Sequence, residues 1–134
     1  MPPEPQAQEN GQKTVAVVGA STDRSKYGNK AVRAYLRQGW RVFPVNPKEE
    51  TIEGLKAYRS VLDVPVPELD RITVYVPPQV GIKLLEEFAR KPHKELYINP
   101  GAESPELLKR AEELGLKPIV ACSILALGAN PEEF

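Results

Sequence analysis

Short apolar runs, each ending in a small or amide-bearing turn, constrain this chain more than any other feature. Thr14-Val15-Ala16-Val17-Val18 closes on Gly19, and Arg41-Val42-Phe43-Pro44-Val45 closes on Asn46. Arg71-Ile72-Thr73-Val74-Tyr75-Val76 closes on Pro77, and Glu95-Leu96-Tyr97-Ile98 closes on Asn99. Lys117-Pro118-Ile119-Val120-Ala121 precedes Cys122. Continuous β-branched runs of this length suit strands buried on both faces. Between them lie segments of helical period. Tyr27, Ala31, Ala34 and Tyr35 share one helix face, with Ser25 as cap, a start near Lys26 and a stop at Gly39. Val80, Leu84, Leu85 and Phe88 form a second face behind Pro77-Pro78. Leu107, Leu108, Ala111 and Leu114 form a third, opened by Ser104-Pro105-Glu106 and closed by Gly115.

Strand, helix and strand within about thirty residues make a right-handed βαβ unit. Its repetition predicts an α/β chain: a Rossmann-like three-layer sandwich around a mostly parallel sheet of five or six strands. Pro47, Gly54, Pro65 and Pro67 exclude a long helix from Asn46 to Asp70. A short strand near Leu55 to Tyr58 and a helical turn near Ser60 to Asp63 are expected there. Residues 1 to 12, rich in Pro, Glu and Gln, read as a flexible tail, and 13 to 134 as one domain.

Composition narrows the function. Lys plus Arg and Asp plus Glu each number 18, so the formal charge is zero. That balance disfavours nucleic acid, whose binding rests on surplus cations. The N-terminus lacks a signal peptide's basic start and apolar stretch, and no window approaches the ~18 apolar residues of a bilayer span. With a single cysteine, Cys122, no disulfide framework forms within the chain. These features predict a soluble cytoplasmic protein. Leu-rich helix faces would permit a homodimer or another protein partner.

Ligands of open parallel sheets bind beyond the carboxyl ends of the strands. The residues there are Gly19-Ala20-Ser21, Asn46-Pro47-Lys48, Pro77-Pro78-Gln79 and Asn99-Pro100-Gly101. They outline a shallow crevice of exposed backbone N–H groups suited to a phosphate. Arg24 and Lys26 add cations before the first helix, and Gly28-Asn29 allow a ligand to approach its first turn. The dinucleotide fingerprint G-x-G-x-x-G is absent. Asn46 and Lys48 stand where an NAD site carries an acid, which favours a ligand with an additional phosphate, either NADP or a 3′-phosphorylated adenosine such as coenzyme A.

Val17-Val18-Gly19-Ala20-Ser21, Lys26-Tyr27-Gly28-Asn29, Phe43-Pro44-Val45-Asn46-Pro47, Val76-Pro77-Pro78 and Pro100-Gly101-Ala102-Glu103 resemble, in order and spacing, the small stand-alone CoA-binding proteins. That family is similar to the CoA-binding domain of the succinyl-CoA synthetase α subunit. The resemblance spans roughly Lys13 to Cys122. It implies a diphosphate near Gly19, Ala20 and Ser21 with Tyr27, Gly28 and Asn29 adjacent. Adenosine would pack around Val45, Asn46 and Pro47, with Lys48 near a phosphate. Val76, Pro77 and Pro78 would form a wall, and the pantetheine arm would run toward Ile98, Asn99 and Pro100. The chain departs from the family pattern at Asn99, where many members carry Gln, and at Ala121, where a polar or basic residue is usual.

No Ser–His–Asp set, metal-ligand cluster or P-loop is present. His93, the only histidine, falls in a helix-to-strand connection at the amino ends of the strands. Asp63, Asp70 and Glu103 read as solvated acids. The expectation is non-catalytic binding of coenzyme A or an acyl-CoA; an NADP-dependent enzyme or redox sensor is the alternative. Cys122 reads as a buried thiol or, at the ligand edge, as one facing the thiol of CoA.

Overall fold

The computed structural model describes residues 12–134; the expected tail lies almost wholly outside these. Five parallel strands form the main sheet: β1 (Thr14–Val18), β2 (Arg41–Val45), β5 (Leu69–Val74), β6 (His93–Ile98) and β7 (Ile119–Val120). Their order is β2-β1-β5-β6-β7. β3 (Thr51–Ile52) and β4 (Leu55–Lys56) make a separate antiparallel hairpin. With the hairpin set aside, the chain winds outward from β1 in both directions, so the order reverses between β1 and β5. That is the doubly wound pattern, with its crevice at the switch. The Rossmann-like α/β fold read from the sequence is therefore the fold observed.

Alternation along the strands divides the core into two layers. Ala16, Val18, Ile72, Val74, Leu96 and Ile98 face α2 (Pro78–Arg90) and α3 (Pro105–Glu113), where Leu85, Phe88, Leu107 and Ala111 close over them. Val15, Val17 and Val42 face the other way, toward α1 (Tyr27–Arg37) and the short α4 (Ser123–Ala126). There Ala31, Val32, Tyr35 and Ile124 are fully buried. Each large side chain so enclosed stabilises the fold by roughly 1.5–3 kcal/mol relative to exposure.

Several boundaries differ from expectation for identifiable reasons. The first helix starts at Tyr27 with Lys26 as its cap, not with Ser25. Ser25 is held back because Asp23 Oδ1 accepts both its N–H, at 3.0 Å, and its hydroxyl, at 2.6 Å. These bonds, the hydroxyl's first, hold the Asp23 carboxyl below the usual aspartate range. Tyr27 leaves the expected core face and is largely exposed. The last strand shrinks to Ile119–Val120, since Pro118 has no N–H for the ladder. Asp70 is no solvated acid. Its Oδ2 accepts the Thr14 N–H at 2.8 Å and the Thr14 hydroxyl at 3.2 Å, and Lys94 lies 3.2 Å from Oδ1. Ser104 caps α3 as expected, accepting from the Leu107 N–H at 3.1 Å.

Candidate functional site

A cleft of about 860 Å³ opens along the carboxyl ends of the sheet. It begins beside Asn46 after β2, crosses the turns after β1, β5 and β6, and ends at Cys122 and Leu125. Its centre is the switch point. Gly19 leaves β1 at φ +87°. A Cβ there would lie 2.9 Å from Val76 Cγ1, so a glycine lets the turns after β1 and β5 touch. Gly28 closes the same corner from the helix side. A Cβ on Gly28 would stand 2.2 Å from the Gly19 carbonyl oxygen, which no side chain survives without movement. Two glycines thus bring the start of α1 hard against the β1 turn.

The donors at this corner are available. Gly19 N–H is used on the Val45 carbonyl at 3.1 Å, but the N–H groups of Ala20 and Ser21 have no acceptor among the described residues. α1 begins without a side-chain cap. Unsatisfied amides and the positive end of a helix dipole converge here, and this is an anion-binding geometry. The loop is braced from outside. Asn29, fully buried, donates from Nδ2 to the Ser21 carbonyl at 2.8 Å and accepts from Arg33 Nε at 2.7 Å. Asn46 Nδ2 donates to the Ala20 carbonyl at 2.9 Å. With both carbonyls engaged by amides, the peptide planes of the loop are pinned.

The expected site residues divide into three groups. Gly19, Ala20, Ser21, Lys26, Tyr27, Gly28, Asn46, Val76, Pro77, Asn99 and Pro100 all line the cleft. Val45 and Ile98 are buried beneath it, in the α2–α3 layer of the core. Arg24, Asn29, Pro47, Lys48 and Pro78 stand outside the lining. Arg24 is drawn away because its Nε lies 3.6 Å from Glu53, a residue of the β3–β4 turn. Lys48 is exposed, its N–H held by Asn46 Oδ1 at 2.8 Å. Asn99 turns inward. Its Nδ2 donates to Thr73 Oγ1 at 2.7 Å and to the Val74 carbonyl at 2.9 Å, while Oδ1 accepts the Ser123 N–H at 2.8 Å. It is a strut between β5, β6 and α4.

Gly101 and Cys122, read from the sequence at this strand edge, line the cleft, and so do Tyr75, Ala102, Leu125 and Pro131, which were not among the expected site residues. Tyr75 was hidden inside the apolar run that reads as a strand to Val76, whereas β5 stops one residue before it, at Val74. Its hydroxyl lies 3.2 Å from Ser123 Oγ, and burial pushes its pKa above the ordinary tyrosine value. It stays a neutral phenol. Leu125 and Pro131 come from a C-terminal segment too short for a periodic signal. Cys122 is half-buried and faces the cleft.

Among the described residues no group of three His, Cys, Asp or Glu side chains is placed to hold a metal. None of their helices is long and apolar enough to cross a membrane. The sequence matches the CoA binding domain family over residues 13–128. The chain belongs to that family. It is 34% identical over 116 residues to the α subunit of an ADP-forming acetate–CoA ligase II of Pyrococcus furiosus, covering 78% of this chain and 25% of the relative. An ADP-forming acetate–CoA ligase of Methanocaldococcus jannaschii is 38% identical over 79 residues, 59% of this chain and 11% of the relative. The chain therefore spans a quarter or less of those two enzymes. Closer in size is a conserved hypothetical protein of Pyrococcus furiosus, whose structure superposes with a TM-score of 0.76 at 38% identity. That match covers 86% of this CoA-binding domain and 98% of the other chain. A Thermus thermophilus protein superposes at 0.75 with 32% identity, over 87% of this chain and 88% of its own.

Proposed function

We propose that this CoA-binding domain holds coenzyme A or an acyl-CoA across the carboxyl edge of its sheet and performs no chemistry of its own. The observation that carries the reading is the corner at the switch point. The free N–H groups of Ala20 and Ser21 meet the uncapped start of α1 there, with Lys26 in the same wall. A diphosphate satisfies those donors. The adenosine lies toward Asn46 and Pro47, and Lys48, exposed beside them, reaches a 3′-phosphate. The arm then runs past Val76 and Pro77 toward Pro100. The side chains along this path supply contact and hydrogen bonds, and Tyr75 is held neutral by burial. The ligases that share this domain carry it as a minor part of a longer chain, which accords with a module that presents a cofactor.

Calorimetry with CoA, acetyl-CoA, NAD and NADP tests the reading. CoA is expected to bind at least about tenfold more tightly than either dinucleotide, a difference of about 1.4 kcal/mol. Binding of NADP without CoA would overturn it. In the same assay, Lys48→Ala is expected to weaken CoA by roughly five- to tenfold, the worth of one charge-assisted contact. Dephospho-CoA, lacking the 3′-phosphate, should be affected much less. Equal losses for the two ligands would remove Lys48 from that role.

A further inference from the structure

The cleft changes chemistry along its length. Toward β1 and β2 it offers free amides and Lys26, the one charged side chain in its lining among the described residues. Toward β6 and β7 the apolar Val76, Ala102, Leu125 and Pro131 line it with Cys122, beside Tyr75, Asn99, Pro100 and Gly101, and none of these described residues carries a charge. The polar groups beneath that end are closed on one another. Ser123 Oγ lies 2.7 Å from Thr73 Oγ1 and 3.2 Å from the Tyr75 hydroxyl, and its N–H is taken by Asn99. Asn99 spends both its amide hydrogens on Thr73 and Val74. The side-chain donors there are spent, and the backbone N–H groups of Cys122 and Leu125, which keep no acceptor among the described residues, have no cation beside them. The acid that borders this end makes matters worse for an anion. Glu103 accepts the Gly101 N–H at 3.0 Å.

We infer that the β6–β7 end of the cleft receives the thioester end of the ligand, and that it admits uncharged, apolar acyl groups while rejecting acyl groups that end in a carboxylate. This rests on the CoA reading above. β1 and β7 are separated by three strand spacings, about 14 Å at ~4.8 Å each, so an extended arm that starts from a diphosphate at Ala20 ends beside Leu125. An apolar acyl group there gains contact with Leu125, Val76 and Ala102. A carboxylate in the same place sheds water and meets no cation among the described lining residues in return, only the backbone N–H groups of Cys122 and Leu125. Leu125 is 59% exposed although it lines the cleft, which marks it as a wall that a bound acyl group would cover.

The test is calorimetry of the full chain with CoA, butyryl-CoA and succinyl-CoA, followed by the Leu125→Arg variant. Because Leu125 is so exposed, this substitution leaves the core intact. In the unaltered protein, butyryl-CoA should bind within about threefold of CoA and succinyl-CoA at least about tenfold more weakly. Leu125→Arg should move the succinyl-to-butyryl affinity ratio by at least about tenfold toward succinyl-CoA. Equal affinities for the two acyl-CoAs, with CoA itself bound, would overturn the selectivity and leave the CoA reading standing. A ratio unmoved by Leu125→Arg would remove the acyl group from this end of the cleft. Failure of all three ligands to bind would overturn the CoA reading and this inference together.

Discussion

The two edges of the sheet handle their polar groups in opposite ways. At the amino edge the polar side chains around β5 and β6 are tied off within the chain. Asp70 takes Thr14 and Lys94, and Arg71 Nη2 meets Glu95 at 2.9 Å while Nη1 donates to the Tyr35 hydroxyl at 3.1 Å. Lys91 Nζ, buried, donates to the carbonyls of Val64 and Val66 at 2.8 and 2.6 Å. His93 Nδ1 lies 2.7 Å from the Lys91 carbonyl, so the one histidine belongs to this closed edge. At the carboxyl edge the Ala20 and Ser21 amides stay open, and the side chains near them, Asn29 and Asn46, hold carbonyls and not the N–H groups. Closed polar groups hold a fold together. Open ones, rigidly held, are prepared for something that arrives from outside.

This contrast breaks first at Gly28. Gly28→Ala drives a methyl to within 2.2 Å of the Gly19 carbonyl, so the start of α1 must retreat from the β1 turn. The expected loss is about 2–3 kcal/mol of CoA binding, roughly thirty- to 150-fold in Kd. The protein should remain folded by circular dichroism, because the strand pairing on either side does not involve the added methyl. Unchanged CoA affinity in a folded variant would mean that the corner is not the phosphate site.

At the closed edge the same scale of change should appear in stability and not in binding. Lys91→Met keeps the aliphatic stem but removes the donor from two carbonyls that now lie unsatisfied. The expected cost is about 2 kcal/mol of unfolding free energy, read by denaturant titration, with the CoA affinity of the folded protein unchanged. A shift in affinity comparable with that of Gly28→Ala would show that the two edges are not independent.

The same contrast explains what could be read from the sequence. The strands were legible because β-branched runs bounded by Gly, Asn and Pro have few other uses, and α2 and α3 because cap, Pro and apolar period agree. The cleft's centre was legible for a related reason: Gly19, Ala20, Ser21 and Gly28 act through the backbone, and backbone demands leave a local imprint. Long-range partners leave none. Nothing near Arg24 announces that Glu53 will draw it off the site, and nothing near Asn99 says that its amide will point down to Thr73 and Ser123. α4, four residues long, is too short to show a 3.6-residue period, so Leu125 and its wall were missed. Asp70 was misread for the same reason, since its partner Thr14 is 56 positions away.

Asp70 supplies the finest test of the closed edge, through pH. Burial alone would raise its pKa, but the Thr14 N–H, Lys94 and the Thr14 hydroxyl together outweigh that and hold it below the usual aspartate value. The folded protein therefore keeps this carboxylate ionised at a pH where the unfolded chain already takes up a proton. A carboxylate with a depressed folded pKa contributes stability that is fully present above the unfolded value, near 3.9, and lost as pH falls through the folded one. Asp70→Asn removes that dependence and keeps a carbonyl oxygen as acceptor for Thr14. The expected outcome is a variant slightly less stable than the parent at pH 7, with the gap narrowing as pH drops below about 4 in thermal melts. Since its ion-pair partner Lys94 is exposed to solvent, salt should shrink the pH 7 difference further. A gap that stays constant from pH 7 to pH 3 would show that the Asp70 contacts contribute through geometry and not through charge.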